Sequence, residues 1–156
     1  ERISFDQSLI RTTIYYRFYL FEALRKAGME NLYSDLLGSW KKMLEKGLTT
    51  FAERHDPTRS DCHAWSASPN YHFLTLICGI EPSSPGFREV TIKPSPGKLE
   101  WINASVAHPD GKINFYYTSV PSDSFSITLP ENITGNFEFH GKNIELTEGE
   151  NILTNF

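Results

Sequence analysis

Between Gly47 and Ser66 the chain reads GLTTFAERHDPTRSDCHAWS, and this stretch gathers Glu53, Arg54, His55, Asp56, Arg59, Asp61, His63 and Trp65. Such polar density on a connection between helical segments is where binding or catalysis usually resides. A metal centre is disfavoured, because the chain has no His-Glu-x-x-His and no paired cysteines. His55, His63 and His72 fall eight and nine residues apart, so they do not stack on one helix face. No cofactor motif is present. Serine or cysteine nucleophilic catalysis has little support, since Gly-x-Ser-x-Gly is absent and Cys62 has only His63 nearby. Carboxylates held beside aromatic and cationic groups suit glycoside cleavage, in which one acid protonates the leaving oxygen and another activates water.

Three motifs occur in order. They are Gly47-Leu48-Thr49-Thr50-Phe51-Ala52-Glu53, then Arg59-Ser60-Asp61-Cys62-His63-Ala64-Trp65-Ser66-Ala67, then Gly79-Ile80-Glu81-Pro82 with Pro85-Gly86-Phe87. Together they resemble the C-terminal motif series of glycoside hydrolase family 78, the α-L-rhamnosidases, over about residues 47 to 94. The resemblance implies an α+β chain, with helices from the end of an (α/α)6-barrel catalytic domain (1–80) followed by an antiparallel β-sandwich (86–156). It further implies an inverting hydrolysis of terminal α-L-rhamnose from glycosides or polysaccharides.

In that family the acid ending the Thr-Thr-x-x-Glu pattern is the general base, which matches Glu53. The substrate-contacting histidine matches His63, Trp65 would help form the sugar pocket, and Asp61 joins these as a substrate-binding candidate. The resemblance also implies that the earlier barrel helices and the general acid lie outside these 156 residues. The chain is then a C-terminal fragment, inactive alone, whose partners are a rhamnose-containing carbohydrate and the rest of the parent catalytic domain. A periplasmic or extracellular setting is favoured over a cytoplasmic one. Ala52 departs from the tryptophan that many relatives carry before the glutamate. The same residues also have structural readings: Glu53 as a solvated loop acid, His63 as packing near a helix start, Trp65 as core and Asp61 as a helix cap. Arg54 and Arg59 read as surface charges, or as holders of a neighbouring carboxylate.

The elements that must position this loop are legible in the hydrophobic periodicity. From about Asp6 to Ala27, Leu9, Ile10, Ile14, Phe18, Phe21 and Leu24 recur at helical spacing, and Gly28 follows Arg25 and Lys26 as a stop. Tyr15, Tyr16 and Tyr19 widen the apolar face, as a helix contacted on several sides requires. Leu32, Leu36, Trp40 and Met43 predict a second helix closed by Lys46 and Gly47, with Trp40 as packing. A third helical segment is expected from about Asp61 to Cys78. Pro69 either kinks it or begins a new helix after a turn over 62–67. On one such helix Cys62 and Cys78 would be about 24 Å apart, so both are read as reduced, packed thiols.

Seven of nine prolines and six of ten glycines follow residue 80, and there the period changes to two. Val90 and Ile92, then Ile113, Phe115 and Tyr117, then Phe125, Ile127 and Leu129 read as half-buried strands. Phe137 and Phe139, and Ile144 and Leu146, continue the pattern. Asp110-Gly111 predicts a hairpin and His140-Gly141-Lys142-Asn143 a longer one, so seven or eight short strands form a sandwich.

A net charge of -4 without a Lys/Arg cluster excludes nucleic acid and disfavours an acidic membrane surface. No run of 18 apolar residues or signal-like N-terminus is visible. Asn103-Ala104-Ser105 and Asn132-Ile133-Thr134 fit the glycosylation pattern. The alternative function is a non-catalytic carbohydrate-binding or structural sandwich, for which Trp101, Tyr116 and Tyr117 are the aromatic candidates. Alternation turns Tyr117 inward and leaves Tyr116 pointing out alone.

Overall fold

The computed structural model describes residues 8–156. It has two compact units, Glu1–His72 and Phe73–Phe156. The chain is α+β, with helical segments in the first unit and two four-stranded sheets in the second.

Helix α1 spans Ile14–Lys26, later than the periodicity implies. Thr13 is its cap, with extended backbone, and its hydroxyl accepts from the Tyr16 amide at 3.4 Å. Leu9 and Ile10 therefore lie outside the helix, exposed, and Asp6 falls outside the described residues. A β-branched Thr12-Thr13 pair favours extended backbone, and the threonine side chain competes for the first free amides. At the other end Gly28, at φ +65°, closes α1 with paired bonds, Met29 N to Leu24 O at 2.9 Å and Gly28 N to Arg25 O at 3.2 Å. Helix α2, Gly38–Glu45, ends in the same way at Gly47, with Leu48 N donating to Met43 O. Both are Schellman closures, which satisfy the orphan carbonyls of the last turn.

The second helix is shorter than expected. Glu30–Leu32 and Ser34–Leu37 form 3₁₀ turns before α2 begins. Ser34, Asp35, Gly38 and Ser39 have weak helix propensity and divide a segment whose apolar spacing alone reads as continuous. Ala64–Ala67 is another 3₁₀ turn, and helix α3, Ser68–His72, carries Pro69 in its first turn. This is the second of the two expected outcomes at that proline, and position N1 or N2 is where a missing N–H costs least. A π-helical turn, Phe73–Ile77, begins the second unit.

The first unit is built on aromatic packing. Phe21 sits 4.7 Å from Tyr33, 5.1 Å from His72 and 6.0 Å from Trp40, centroid to centroid, and all four side chains are buried. Trp40 Nε1 donates to Ser66 O at 2.7 Å, which removes the polar penalty of burying an indole. The buried His72 places Nε2 3.4 Å from Glu22 Oε1, while Arg25 holds Glu22 Oε2 at 2.7 Å. Burial pushes His72 below the ordinary histidine value, and Glu22 opposes that shift without cancelling it. Tyr15, Tyr16 and Tyr19 remain exposed along α1.

The first unit holds a short hairpin, β1 (Arg54–His55) and β2 (Thr58–Arg59), and in the second unit the strands are β3 (Ile80–Pro82), β4 (Glu89–Ile92), β5 (Trp101–His108), β6 (Gly111–Thr118), β7 (Ser124–Leu129), β8 (Thr134–Phe139), β9 (Lys142–Leu146) and β10 (Gly149–Leu153). One sheet has the order β10-β7-β6-β5, the other β3-β4-β8-β9. The inward residues predicted by alternation are buried, from Val90 and Ile92 through Leu146, with Ile144 half-buried. The sheets face one another through Phe125, whose ring lies 4.8 Å from Phe137 and 4.9 Å from Phe139.

Both predicted hairpins form, the second with a shorter turn than expected, because Lys142 and Asn143 already belong to β9. His140 and Gly141, at φ +48° and +77°, make the β8–β9 turn, and positive φ at both central residues is the signature of type I′. At β5–β6, His108 pairs with Gly111. Asp110 N donates to His108 Nδ1, so Nε2 carries the proton and donates to Phe87 O at 2.8 Å.

The structure departs from the sequence expectations at three points. The sandwich is not wholly antiparallel, because β4 runs parallel to β8, with Val90 opposite Gly135. A Cβ on Gly135 would lie 2.5 Å from Val90 O, so this pairing requires glycine there. Both cysteines are free thiols, but only Cys78 is packed; Cys62 is exposed, and the two lie on separate bends rather than on one helix. Tyr116 does not stand alone, since Trp101 pairs with Thr118 and Asn103 with Tyr116. That register puts Trp101 and Tyr116 diagonally on one outer face, 65% and 45% exposed.

Candidate active site

The motif residues of the first unit are shaped by a small hairpin that periodicity does not reveal. Strands β1 and β2 pair with Arg54 opposite Arg59, around an Asp56–Pro57 turn. The Glu53 amide closes the hairpin by donating to Arg59 O at 3.0 Å and Ser60 O at 3.2 Å. Lys46, just past α2, donates to His55 O at 2.7 Å and Asp56 Oδ1 at 3.1 Å, which ties the turn to the helix end.

Closing the hairpin brings the Arg59 guanidinium onto the Glu53 carboxylate. Nε donates to Oε2 at 2.7 Å and Nη2 donates to Oε1, the two-pronged arrangement that suits a planar fork and a carboxylate. The hydrogen bond from Arg59, with the charges of Arg59, His63 and Arg54 added, holds the Glu53 carboxyl below the usual glutamate range. Glu53 is therefore ionised at neutral pH. Its side chain is 21% exposed, and oxygen lone pairs remain beyond the two that Arg59 occupies.

Glu53 lines a cleft of about 770 Å³ together with Tyr15 and Arg17 of α1, Lys42 of α2, Arg54, Arg59 and Trp65. It is the only carboxylate among the described residues there. Trp65 is 47% exposed and is held from two sides, by His63 at 4.0 Å and by Tyr15 at 5.0 Å between ring centroids. An exposed indole with both flanks fixed offers a flat apolar surface at little further cost in side-chain entropy. His63 is half-buried against Trp65, and its amide donates to Phe51 O at 2.6 Å. It does not itself line the cleft.

Asp61 is exposed and also lies off the cleft, and its carbonyl accepts from the Thr50 hydroxyl. It is not a helix cap, since the next 3₁₀ turn starts at Ala64 with His63 before it. Of the four candidates, the fold thus places Glu53 and Trp65 on one cleft, His63 behind Trp65, and Asp61 apart. Tyr15 and Lys42 line the cleft without any sequence signal, because only the folding of α1 and α2 brings them to the hairpin. In the sequence, Arg59 reads as a carboxylate holder only in alternative with a surface charge.

The clamp has a measurable consequence. Arg59→Ala removes the hydrogen bond and the nearest positive charge, so the Glu53 carboxyl should move up toward the ordinary glutamate value of about 4.3. Carbon-detected NMR titration of the side-chain carboxyl in both proteins measures this, and an unmoved titration would mean that Arg59 does not govern Glu53.

Residues 79–150 match the model of the bacterial α-L-rhamnosidase C-terminal domain. An α-L-rhamnosidase of Alteromonas sp. (strain LOR) is 29% identical over 137 residues, 76% of this chain and 15% of that protein. The family 78 rhamnosidase of Bacillus sp. GL1 is 32% identical, with a TM-score of 0.72 over 81% of this chain and 15% of its own. The α-L-rhamnosidase of Dictyoglumus thermophilum shares the fold, with a TM-score of 0.81 at 19% identity, over 96% of this chain and 22% of its own. The chain thus spans about a fifth or less of the length of these relatives. Motif order, sequence match and fold agree: the chain is related to the α-L-rhamnosidases of glycoside hydrolase family 78 and corresponds to their C-terminal region.

Proposed function

We propose that the chain forms part of an inverting α-L-rhamnosidase, in which Glu53 is the general base that activates the attacking water and Trp65 forms one wall of the sugar pocket. The observation that carries this reading is Glu53, an ionised carboxylate beside an exposed, buttressed indole in a saccharide-sized cleft. A carboxylate held below its usual range accepts a proton but does not supply one at neutral pH, so Glu53 fits the base and not the acid. The general acid comes from elsewhere in the parent, since Glu53 stands without a second carboxylate in the described cleft. His63 acts from behind Trp65 and sets the indole plane. Asp61 remains a substrate-binding candidate for a longer sugar chain reaching past the cleft.

On the same reading residues 1–80 complete a helical barrel and residues 86–156 form the C-terminal β-domain. The exposed tyrosines of α1 offer aromatic surface to the preceding barrel helices. The substrate is a terminal rhamnoside of a glycoside or polysaccharide.

The test compares the 156-residue chain with the complete parent on an aryl α-L-rhamnoside. Turnover by the parent and none by the isolated chain is expected, because inverting cleavage needs an acid and a base on opposite sides of the bond. Turnover by the chain alone would contradict the missing-acid argument. An inactive parent would overturn the rhamnosidase assignment.

A further inference from the structure

The second unit carries a cleft of its own, about 850 Å³, between the β4–β5 connection and the β8–β9 turn. Its charge runs against that of its surroundings. Residues 73–156 contain ten acidic and five basic side chains, yet Lys93, Lys98 and Lys142, three of those five, line this one cleft. The two acids that share it are already engaged. Glu138 lies 3.3 Å from Lys93 Nζ, and Asp123 accepts from the Tyr117 hydroxyl at 2.7 Å. Lys142 faces the Asn155 carbonyl and the Phe156 ring, and Lys98 has no carboxylate partner among the described residues. Lys98 and Lys142 therefore have no ion-pair partner among the described residues, and with Asp123 and Glu138 counted the lining carries one net positive charge.

The remaining lining is suited to hydroxyl-rich ligands. His140 stacks on Phe139 at 4.0 Å with the rings 19° apart, so an exposed imidazole is held flat against a buried ring. Ser95, Ser119 and Asn143 supply neutral donors and acceptors around it. A polyphosphate or other dense polyanion would meet Asp123 and Glu138 at close range, which disfavours it. A ligand with isolated negative charges, many hydroxyls and one flat apolar face satisfies every group.

We propose that this cleft binds an acidic glycan, with Lys98 and Lys142 pairing to a carboxylate or sulfate substituent and the His140 ring under a sugar face. The site is separate from the Glu53 cleft, and its occupation does not depend on hydrolysis. It therefore stands or falls independently of the assignment of Glu53.

Trigalacturonate, a sulfated carrageenan-type trisaccharide and neutral maltotriose are titrated into the 156-residue chain by calorimetry, with NMR shift mapping of the bound state. At least one acidic trisaccharide should bind about tenfold or more tightly than maltotriose, and weaken with salt, as expected of charge-assisted hydrogen bonds. The two acidic sugars distinguish a carboxylate from a sulfate ester. Perturbed resonances should fall on residues 93–99 and 138–143. The double variant Lys98→Ala, Lys142→Ala should lose about tenfold in affinity at an unchanged melting temperature. Equal affinity for maltotriose, failure of both acidic sugars, shifts confined to the Glu53 cleft, or full affinity in the double variant would each overturn the proposal. Tighter binding of an acidic peptide such as a short polyglutamate would likewise replace the glycan with a protein partner.

Discussion

Glu53→Gln in the complete parent enzyme should lower kcat on a rhamnoside by about 100-fold or more, because general base catalysis commonly contributes 10² to 10⁴. That loss corresponds to about 2.7 kcal/mol of transition-state stabilisation. Substrate affinity should survive, since glutamine keeps the shape of the side chain. The amide also weakens the Arg59 clamp, so a loosened hairpin has to be separated from a lost base. Arg59→Ala does this: it disturbs the same hairpin but leaves a carboxylate, and should retain far more activity, with the acid limb of its pH profile moved to higher pH. His63→Ala gives a further contrast. It removes the ring 4.0 Å from Trp65 and should chiefly raise KM through a less fixed indole. Near-normal turnover of the Glu53→Gln parent would make Glu53 a structural partner of Arg59 and end its assignment as base.

Phe125→Ala should be the most damaging substitution in the β-domain. Its ring is buried and lies 4.8 to 5.9 Å from Phe115, Tyr117, Phe137, Phe139 and Phe156, so it joins the two sheets. Truncating a buried phenylalanine costs about 3–5 kcal/mol through lost transfer energy and an unfilled cavity. For a unit of this size that lowers the melting temperature by more than about 10 °C. Thermal melts followed by near-ultraviolet circular dichroism measure it. Tyr116→Ala, on the exposed face of the adjacent strand, should stay within about 0.5 kcal/mol of the parent and serves as the control. Comparable melting of both variants would show that the aromatic cluster is not the principal contact between the sheets.

Much of the fold is legible in the residues because its causes are local. The Schellman ends at Gly28 and Gly47 follow from glycine after an apolar-periodic run, and a hairpin near Gly141 follows from its turn residues, although only the Phe139↔Lys142 register makes it a two-residue I′ turn. Alternation identifies the buried side of β4 and of β6 to β9 because side chains on a strand point to opposite faces in turn. The loop from Gly47 to Ser66 stands out as a candidate site by its density of charged and aromatic groups alone.

What the tertiary structure decided are the features that depend on register and on distant partners. The start of α1 rests on a contest between apolar spacing and the cap at Thr13, and spacing carries no information about which wins. The parallel β4–β8 pair joins strands more than forty residues apart, and no local pattern encodes such a partner. The same reason hides the Trp101–Tyr116 diagonal, set by the β5–β6 register, and the meeting of Lys98 with Lys142 in one cleft. Glu53 itself shows the division most clearly. Its identity and motif are in the sequence, but the lowering of its pKa depends on the Arg54↔Arg59 register that lays a guanidinium across it. An electrostatic shift of that kind is set by distances of a few ångströms between charges, which only the folded hairpin fixes.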